Sequence, residues 1–316
     1  MGSKVLLRWG RSAYETDDQL ALERQQAEVL GYTWVLREER DPPPDLDQVD
    51  VLVVNSKVQV DATVLSALRG DLVVATTSGY DHVDLAAAAA HDVAVVRCPL
   101  ARRDEVVEQA LGSLIALMRR LPAFEEAAVA GHWARGDVPA LAPLTIRDAR
   151  VVVVGLGVIG TRIADVLSLL GAEVIGCDPF AELDGVRCMN IDEALPFADA
   201  VTLHCSLTPS SQNLLSAERL ALLPQHAVVV NTARGHCLDV EAAVDAVRNN
   251  RLRGVAVDVF PTEPYPNLAE GASVEGVLFT PHSAGCSNDL GAKVVAGVVA
   301  ALMAKSAGIA LPHRVA

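Results

Sequence analysis

The sequence predicts an α/β chain built from two doubly wound parallel sheets with a cleft between them. Three observations carry that expectation. Short aliphatic, β-branched runs alternate with helix-like stretches along the whole chain. One such run, residues 151–154, leads at once into Gly155, Gly157 and Gly160 in G-x-G-x-x-G spacing. The length of 316 residues, 51% of them hydrophobic, suits two cores rather than one.

Taken in order, residues 4–8 read as a first strand, 17–30 as a helix and 32–36 as a second strand. Asp41-Pro42-Pro43-Pro44-Asp45 reads as a stiff loop, because proline fixes φ and removes a donor. Strands at 51–54, 72–75 and 93–96 alternate with helices at 61–68 and from Leu85 onward. No glycine fingerprint follows these strands, so this first unit is expected to be a flavodoxin-like, nucleotide-free relative of the central one. From 104 to 120, Val107, Ala110, Leu111, Leu114, Ile115 and Met118 mark a long amphipathic helix. Residues 134–149 read as irregular. The alternation resumes with strands at 151–154, 174–177, 200–204, 227–231, 254–259 and 277–280. Helices are expected at 158–170, 216–223, 239–248 and 288–305.

The glycines have separable roles. Gly155 permits a tight turn, Gly157 lets backbone approach a pyrophosphate, and Gly160 lets the helix lie close on the strand. Val158 and Ile159 open that helix, whose N-terminus attracts phosphate. Asp178 closes the next strand, 18 residues past the last glycine, where an acid can accept from ribose hydroxyls. Strand, glycines, helix, strand and acid in register point to a Rossmann-type NAD site. The competing reading is a glycine turn in a domain that binds no nucleotide.

Composition narrows the partners. The formal net charge is -14 and no long Lys/Arg run occurs, which argues against nucleic acid and anionic membranes. The start of the chain shows Arg8, Arg11 and Glu15 rather than a signal segment, and Met1-Gly2-Ser3 reads as a cloning remnant. The apolar run 294–304 is expected to be too short to span a bilayer. The six cysteines form no C-x-x-C pair, so reduced thiols of a cytoplasmic protein are expected, with no disulfide and no metal site.

In open α/β sheets ligands bind beyond the carboxyl ends of the strands. There the sequence places Arg234, Glu263 and His282 after three successive strands. A neutral histidine can take a hydroxyl proton while a hydride leaves the same carbon. A carboxylate beside such a ring orients it and favours the imidazolium. An arginine can grip a carboxylate in a fork and polarise a neighbouring carbonyl. Each residue alone is more often a surface or strand-end residue; their coincidence at one sheet edge is the signal.

The quoted stretches together resemble the D-isomer-specific 2-hydroxyacid dehydrogenase family. They are Gly-Leu-Gly-Val-Ile-Gly with Asp178, His204-Cys205-Ser206-Leu207-Thr208, Asn231-Thr232-Ala233-Arg234-Gly235, Asp258-Val259-Phe260 through Glu263-Pro264, and Thr280-Pro281-His282. Ser78-Gly79-Tyr80-Asp81-His82-Val83-Asp84 and the helix holding Glu108 extend the match to the N-terminal half. The resemblance implies an NAD-dependent oxidoreductase of small D-2-hydroxy or 2-keto acids, with catalytic Arg234, Glu263 and His282. It implies cofactor contacts from the glycine loop, Asp178, His204, Thr208, Thr232, Ala233 and Asp258, the last toward the nicotinamide amide. It implies that backbone N–H groups near Ser78 and Gly79 meet the substrate carboxylate. It also implies a discontinuous substrate domain of residues 1–101 plus 285–316, an NAD domain of 102–284, and a homodimer.

Two departures from the family pattern stand out. Ser206 replaces a usual proline, which alters loop stiffness near the adenosine. Arg102 and Arg103 replace small polar residues before the long helix; they are read either as a solvated pair or as an anion site for a substrate with a second charge. Enzymes acting on 3-phosphoglycerate or erythronate 4-phosphate are the alternative. The 3-phosphoglycerate enzymes tend to carry phosphate-binding arginines around Asn55 and Ala75, where this chain has none. A non-catalytic NAD-sensing interaction protein is the alternative from another class. Residues 104–149 are richer in apolar side chains than a hinge requires, and are expected to pack on a symmetry mate.

Overall fold

In the computed structural model, which describes residues 4–12, 14–41 and 45–316, the alternation read from the sequence becomes two parallel sheets. The expected proline loop at 42–44 and the remnant at 1–3 lie outside the described residues. The chain runs β1 (Lys4–Trp9), α1 (Asp17–Val29), β2 (Tyr32–Arg37), β3 (Val51–Val54), α2 (Ala62–Ala67), β4 (Leu72–Ala75), α3 (Leu85–Ala90) and β5 (Ala94–Arg97). It continues through α4 (Arg103–Met118), α5 (Leu121–Val129), α6 (Val138–Leu141), β6 (Arg150–Val154), α7 (Val158–Leu169), β7 (Glu173–Cys177) and β8 (Arg187–Cys188). Then come α8 (Ile191–Ala194), β9 (Ala200–Leu203), α9 (Ala217–Leu220), β10 (Val228–Asn231), α10 (Val240–Arg248), β11 (Gly254–Val257), α11 (Leu268–Ala272), β12 (Val277–Phe279) and α12 (Leu290–Ala307). It divides into two units, Met1–Arg102 with Cys286–Ala316, and Arg103–Gly285.

The first unit holds a five-stranded sheet in the order β2-β1-β3-β4-β5. Its strands are buried on both faces, so they read as continuous aliphatic runs. Alternate residues serve opposite cores, as the pleat requires. Leu6, Val51, Val53, Val74 and Val96 pack with Ala27 of α1 and with Leu290, Val294, Val298 and Leu302 of α12. Leu7, Leu52, Val54, Val73 and Val95 pack with Leu65 of α2 and Ala88 of α3. The chain end completes the edge: Val315 N–H donates to Val95 O at 2.8 Å, beside an antiparallel bridge of Val96 and Arg314. Arg8, fully buried, pairs with Glu15 and with Glu23, which also accepts from Trp34 Nε1.

Among the described residues α12, at 18 residues, is the one helix long and apolar enough to cross a membrane by length and composition. The run 294–304, expected to be too short, therefore sits inside a longer apolar helix. Its Leu290, Val294, Val298, Ala301 and Leu302 are buried in the first core. That accounts for its hydropathy as the core helix of an α/β layer.

The second unit holds seven parallel strands in the order β12-β11-β10-β9-β6-β7-β8. Val151 and Val153 face a core made with Ala110, Leu114 and Leu117 of α4 and Ile163 and Leu167 of α7. Val152 and Val154 face the opposite core, with Val201, Leu203, Val229 and the α10 residues Ala243 and Val247. Strand order reverses between β6 and β9, which is where a doubly wound sheet opens a crevice for a ligand. The stretch 134–149, expected to be irregular, contains the one-turn α6. The two-residue β8 carries no periodicity to read and was not expected.

Candidate active site

The second unit builds its crevice from the glycine loop outward. Gly155 has φ +88°, and a Cβ there would lie 2.6 Å from the Cys205 backbone, so only glycine fits. A Cβ on Gly160 would overlap the Gly155 carbonyl, which is why α7 can lie so close to β6. Gly157 is different. It is the N-cap of α7, no side chain caps the helix, and its Cβ direction meets nothing within 4 Å. Val158 and Ile159 form the first turn behind it. The helix therefore presents N–H groups and the positive end of its dipole to open space.

Asp178 ties this loop to the end of β7. One carboxylate oxygen accepts from Leu156 N at 2.8 Å, the other from Phe180 N at 2.8 Å and Ala181 N at 3.2 Å. His204, after β9, shares a 2.8 Å hydrogen bond between Nε2 and Thr202 Oγ1, and its Nδ1 is buried without a partner. Burial pulls its pKa down to about 3, so the ring stays neutral. Thr208 N donates to Ser211 Oγ at 2.8 Å, and Ser211 Oγ donates to Ser206 O at 2.7 Å, folding that loop on itself. Thr232 follows β10 with its Oγ1 buried and unpartnered, and Ala233 beside it is buried. An uncapped helix end, an anchored acid and two orphaned polar atoms fit a dinucleotide.

The three residues proposed for chemistry lie on the next three loops. Arg234 NH1 donates to Ala233 O at 2.6 Å. Gly235 has no room for a side chain, because the backbone of Phe260 and Pro261 passes against it. That contact joins the Arg234 loop to the loop holding Glu263. Glu263 accepts from Phe260 N at 3.0 Å through Oε1 and sits 2.8 Å from His282 Nδ1 through Oε2. His282 has φ +54°, the left-handed region that side chains rarely adopt. It is held there by donating its backbone N–H to Asp258 O at 2.7 Å.

Asp258 is nearly inaccessible, and its carboxylate organises the same loop. It accepts from Thr280 Oγ1 at 2.6 Å, Ser283 N at 2.9 Å and Ala284 N at 3.0 Å. Asn231, missed as a site residue, is fully buried and ties the turn after β10 through Ala233 N and Arg234 O, both at 3.0 Å. A single amide ending a run of valines was its signal. The thiol of Cys205 donates to Cys237 Sγ across 3.9 Å. That bond and burial raise the Cys205 pKa, which leaves it a poor nucleophile. His236 is exposed, and among the described residues no cluster of three ligating side chains could hold a metal.

In the first unit Ser78 and Gly79 occupy the turn after β4, and Ser78 Oγ is buried without a partner. Arg102 NH1 donates to Thr76 O at 2.7 Å. Arg103, in the second unit, is gripped in a fork by Asp104, with both bonds at 3.0 Å. The two arginines read as a pair in the sequence therefore have separate engagements.

Residues 111–284 match the family model described as D-isomer specific 2-hydroxyacid dehydrogenase, NAD binding domain. The chain is 30% identical over 291 residues to D-3-phosphoglycerate dehydrogenase of Methanocaldococcus jannaschii, covering 90% of this chain and 54% of that protein. It spans about half the length of the curated relatives it matches. A Pyrococcus horikoshii protein structure superposes with a TM-score of 0.85 at 23% identity, over 100% of this chain and 95% of that one, and shares its fold. The NADPH-dependent glyoxylate/hydroxypyruvate reductase of Sinorhizobium meliloti, in complex with NADP and malonate, superposes with a TM-score of 0.80 at 26% identity, covering 100% and 97%.

Proposed function

The chain belongs to the D-isomer specific 2-hydroxyacid dehydrogenase family, and on that premise we propose that it interconverts a small D-2-hydroxy acid and its 2-keto acid. The observation that carries this reading is the Glu263–His282 pair in the unit whose glycine loop suits NAD. NAD, when bound, carries the hydride; the chain supplies the proton and the grip. With Nδ1–H donated to Glu263, Nε2 of a neutral His282 accepts the hydroxyl proton in oxidation. In reduction the protonated ring returns it to the forming alkoxide. Glu263 fixes the ring and balances its charge. Arg234 forks the substrate carboxylate and steadies the carbonyl oxygen, on which charge develops as the hydride reaches the carbon.

Turnover with a panel of 2-keto acids, followed by NADH absorbance, tests the reading. His282→Ala should lose about 100- to 10,000-fold in kcat. Arg234→Ala should lose in both kcat and KM, because it binds as well as polarises. A His282→Ala enzyme with near-normal kcat on its best keto acid between pH 5 and 9 would show that another residue moves the proton. No turnover at all would favour the NAD-sensing reading.

A phosphorylated hydroxy acid is the second substrate class, favoured by the names of the curated relatives. Against it, Asn55 is occupied by Arg11 O and Lys57 N, and Lys57 is paired with Glu39. We also assign the chain to a homodimer. Helix α5 has no buried residue, and Val129 and Trp133 are 84% and 86% exposed, which suits a covered surface. We also place the chain in a reducing, cytoplasmic setting, which suits six cysteines with no disulfide between them.

A further inference from the structure

Glu263 and His282 meet at the surface of the second unit, with side chains 38% and 55% exposed. An exposed pair of this kind is worth little unless something else holds its members in place. Residues 261–270, which carry Glu263, are all exposed except Tyr265. The Tyr265 ring stacks on Phe260, with centroids 4.6 Å apart and planes 18° from parallel. It meets Phe279 edge-on at 6.0 Å, and Phe260 meets Phe279 edge-on at 5.1 Å. Stacked and edge-on contacts are the arrangements that the charge distribution of aromatic rings favours. The trio packs on the core that β9, β10 and α10 share.

These three rings bracket the pair in sequence and in space. Phe260 lies before Glu263 and donates its N–H to Glu263 Oε1 at 3.0 Å. Tyr265 lies just after Glu263, and Phe279 ends β12 on the way to His282. Gly271 of α11 closes the far side, because a Cβ there would lie 2.4 Å from the Phe279 ring. The charged groups on the neighbouring loops are otherwise engaged. Asp258 accepts from Thr280 Oγ1, Ser283 N and Ala284 N, and Arg234 donates to Ala233 O. Among the described residues Glu263 is the carboxylate hydrogen-bonded to the His282 ring. We infer that Tyr265 is a positioning residue: packed on Phe260 and Phe279, its ring anchors the exposed loop so that the Glu263 carboxylate stays against Nδ1 of His282. The inference rests on the proposed function in one respect, that this pair moves the substrate proton. The ring carries the role, and the hydroxyl is not needed for it.

The test uses the full chain with NADH and with glyoxylate, pyruvate and hydroxypyruvate as substrates. His282 is followed separately by NMR titration of labelled histidines, its signal assigned by its loss in His282→Gln. Tyr265→Ala should lower kcat by roughly tenfold, the cost of a misplaced catalytic group. It should also move the His282 titration to lower pH by about half a unit, as Glu263→Gln does, because the carboxylate that favours the imidazolium is no longer held beside it. NADH affinity and keto-acid KM should stay within about twofold of wild type. Tyr265→Phe should match wild type throughout. In a Glu263→Gln background Tyr265→Ala should cost nothing further, because residues that act as one unit are not additive. If the alanine variant does not fold, Tyr265→Leu, which fills the space without the stack, carries the same expectations. An unchanged His282 titration in the folded variant would overturn the inference, as would a loss in the Glu263→Gln background equal to that in wild type. Wild type that reduces none of the three acids, yet whose His282 titration responds to Tyr265→Ala, would keep the inference and remove the oxidoreductase reading.

Discussion

At the scale of single residues the crevice is governed by what each polar atom already holds. Asp178 uses both oxygens on backbone N–H groups yet retains acceptor capacity, since a carboxylate offers about four lone-pair sites. Its charge should repel a 2′-phosphate, and neither Pro179 nor Phe180 offers a counter-charge. NADH is therefore expected to be preferred over NADPH, unlike the Sinorhizobium reductase, and Asp178→Ala should narrow the gap. Equal kcat/KM for the two cofactors in the wild type would refute this. His204 makes a separate prediction about stability. Its pKa lies near 3 in the folded chain against an ordinary 6.5. Between those values the unfolded chain holds a proton that the folded chain does not, so stability falls as pH falls through that window. One proton corresponds to about 1.4 kcal/mol per pH unit. His204→Gln should flatten the urea-unfolding stability between pH 6 and 4 by about that slope, with little change above pH 7.

At the scale of elements, glycines with the same sequence signature have unlike duties. Gly157→Ala places its Cβ in open space, so the fold should keep its stability to within about 1 kcal/mol while NADH affinity drops. Gly160→Ala forces α7 off β6 and should destabilise by roughly 1–3 kcal/mol or more. Urea unfolding and NADH fluorescence titration of the two variants separate the effects. Much of this was legible beforehand. Strands buried on both faces appear as unbroken aliphatic runs, so β3 and β4 agree with the expected 51–54 and 72–75, and the glycine spacing located α7. Pairwise commitments across the fold were not legible. Asp258 was read only as a cofactor contact, whereas its donors Thr280, Ser283 and Ala284 lie in a loop that pairing brings beside it. The left-handed backbone of His282 leaves no mark on composition, because the Asp258 carbonyl that holds it is distant in sequence.

At the scale of the whole molecule, Leu121, Val129 and Trp133 are among the exposed apolar residues that a single copy leaves uncovered. If a second copy covers them, light scattering at micromolar concentration should report twice the chain mass. Val129→Asp with Trp133→Ser should then return a single mass while keeping NADH binding. A wild-type monomer would exclude the dimer. Connectivity has a consequence for biosynthesis. During translation the nascent chain emits the five strands of the first sheet before any of the second unit. The core they share with α1 still lacks Leu290, Val294, Val298 and Leu302, which the ribosome supplies only after the residues from Arg103 to Gly285. At cellular elongation rates that interval is on the order of tens of seconds. The second unit, an uninterrupted stretch, can fold as it emerges, while the half-built first sheet waits with an aliphatic face uncovered. That face is the place where a chaperone would be expected to hold the growing polypeptide, and release would be timed by the arrival of the last helix.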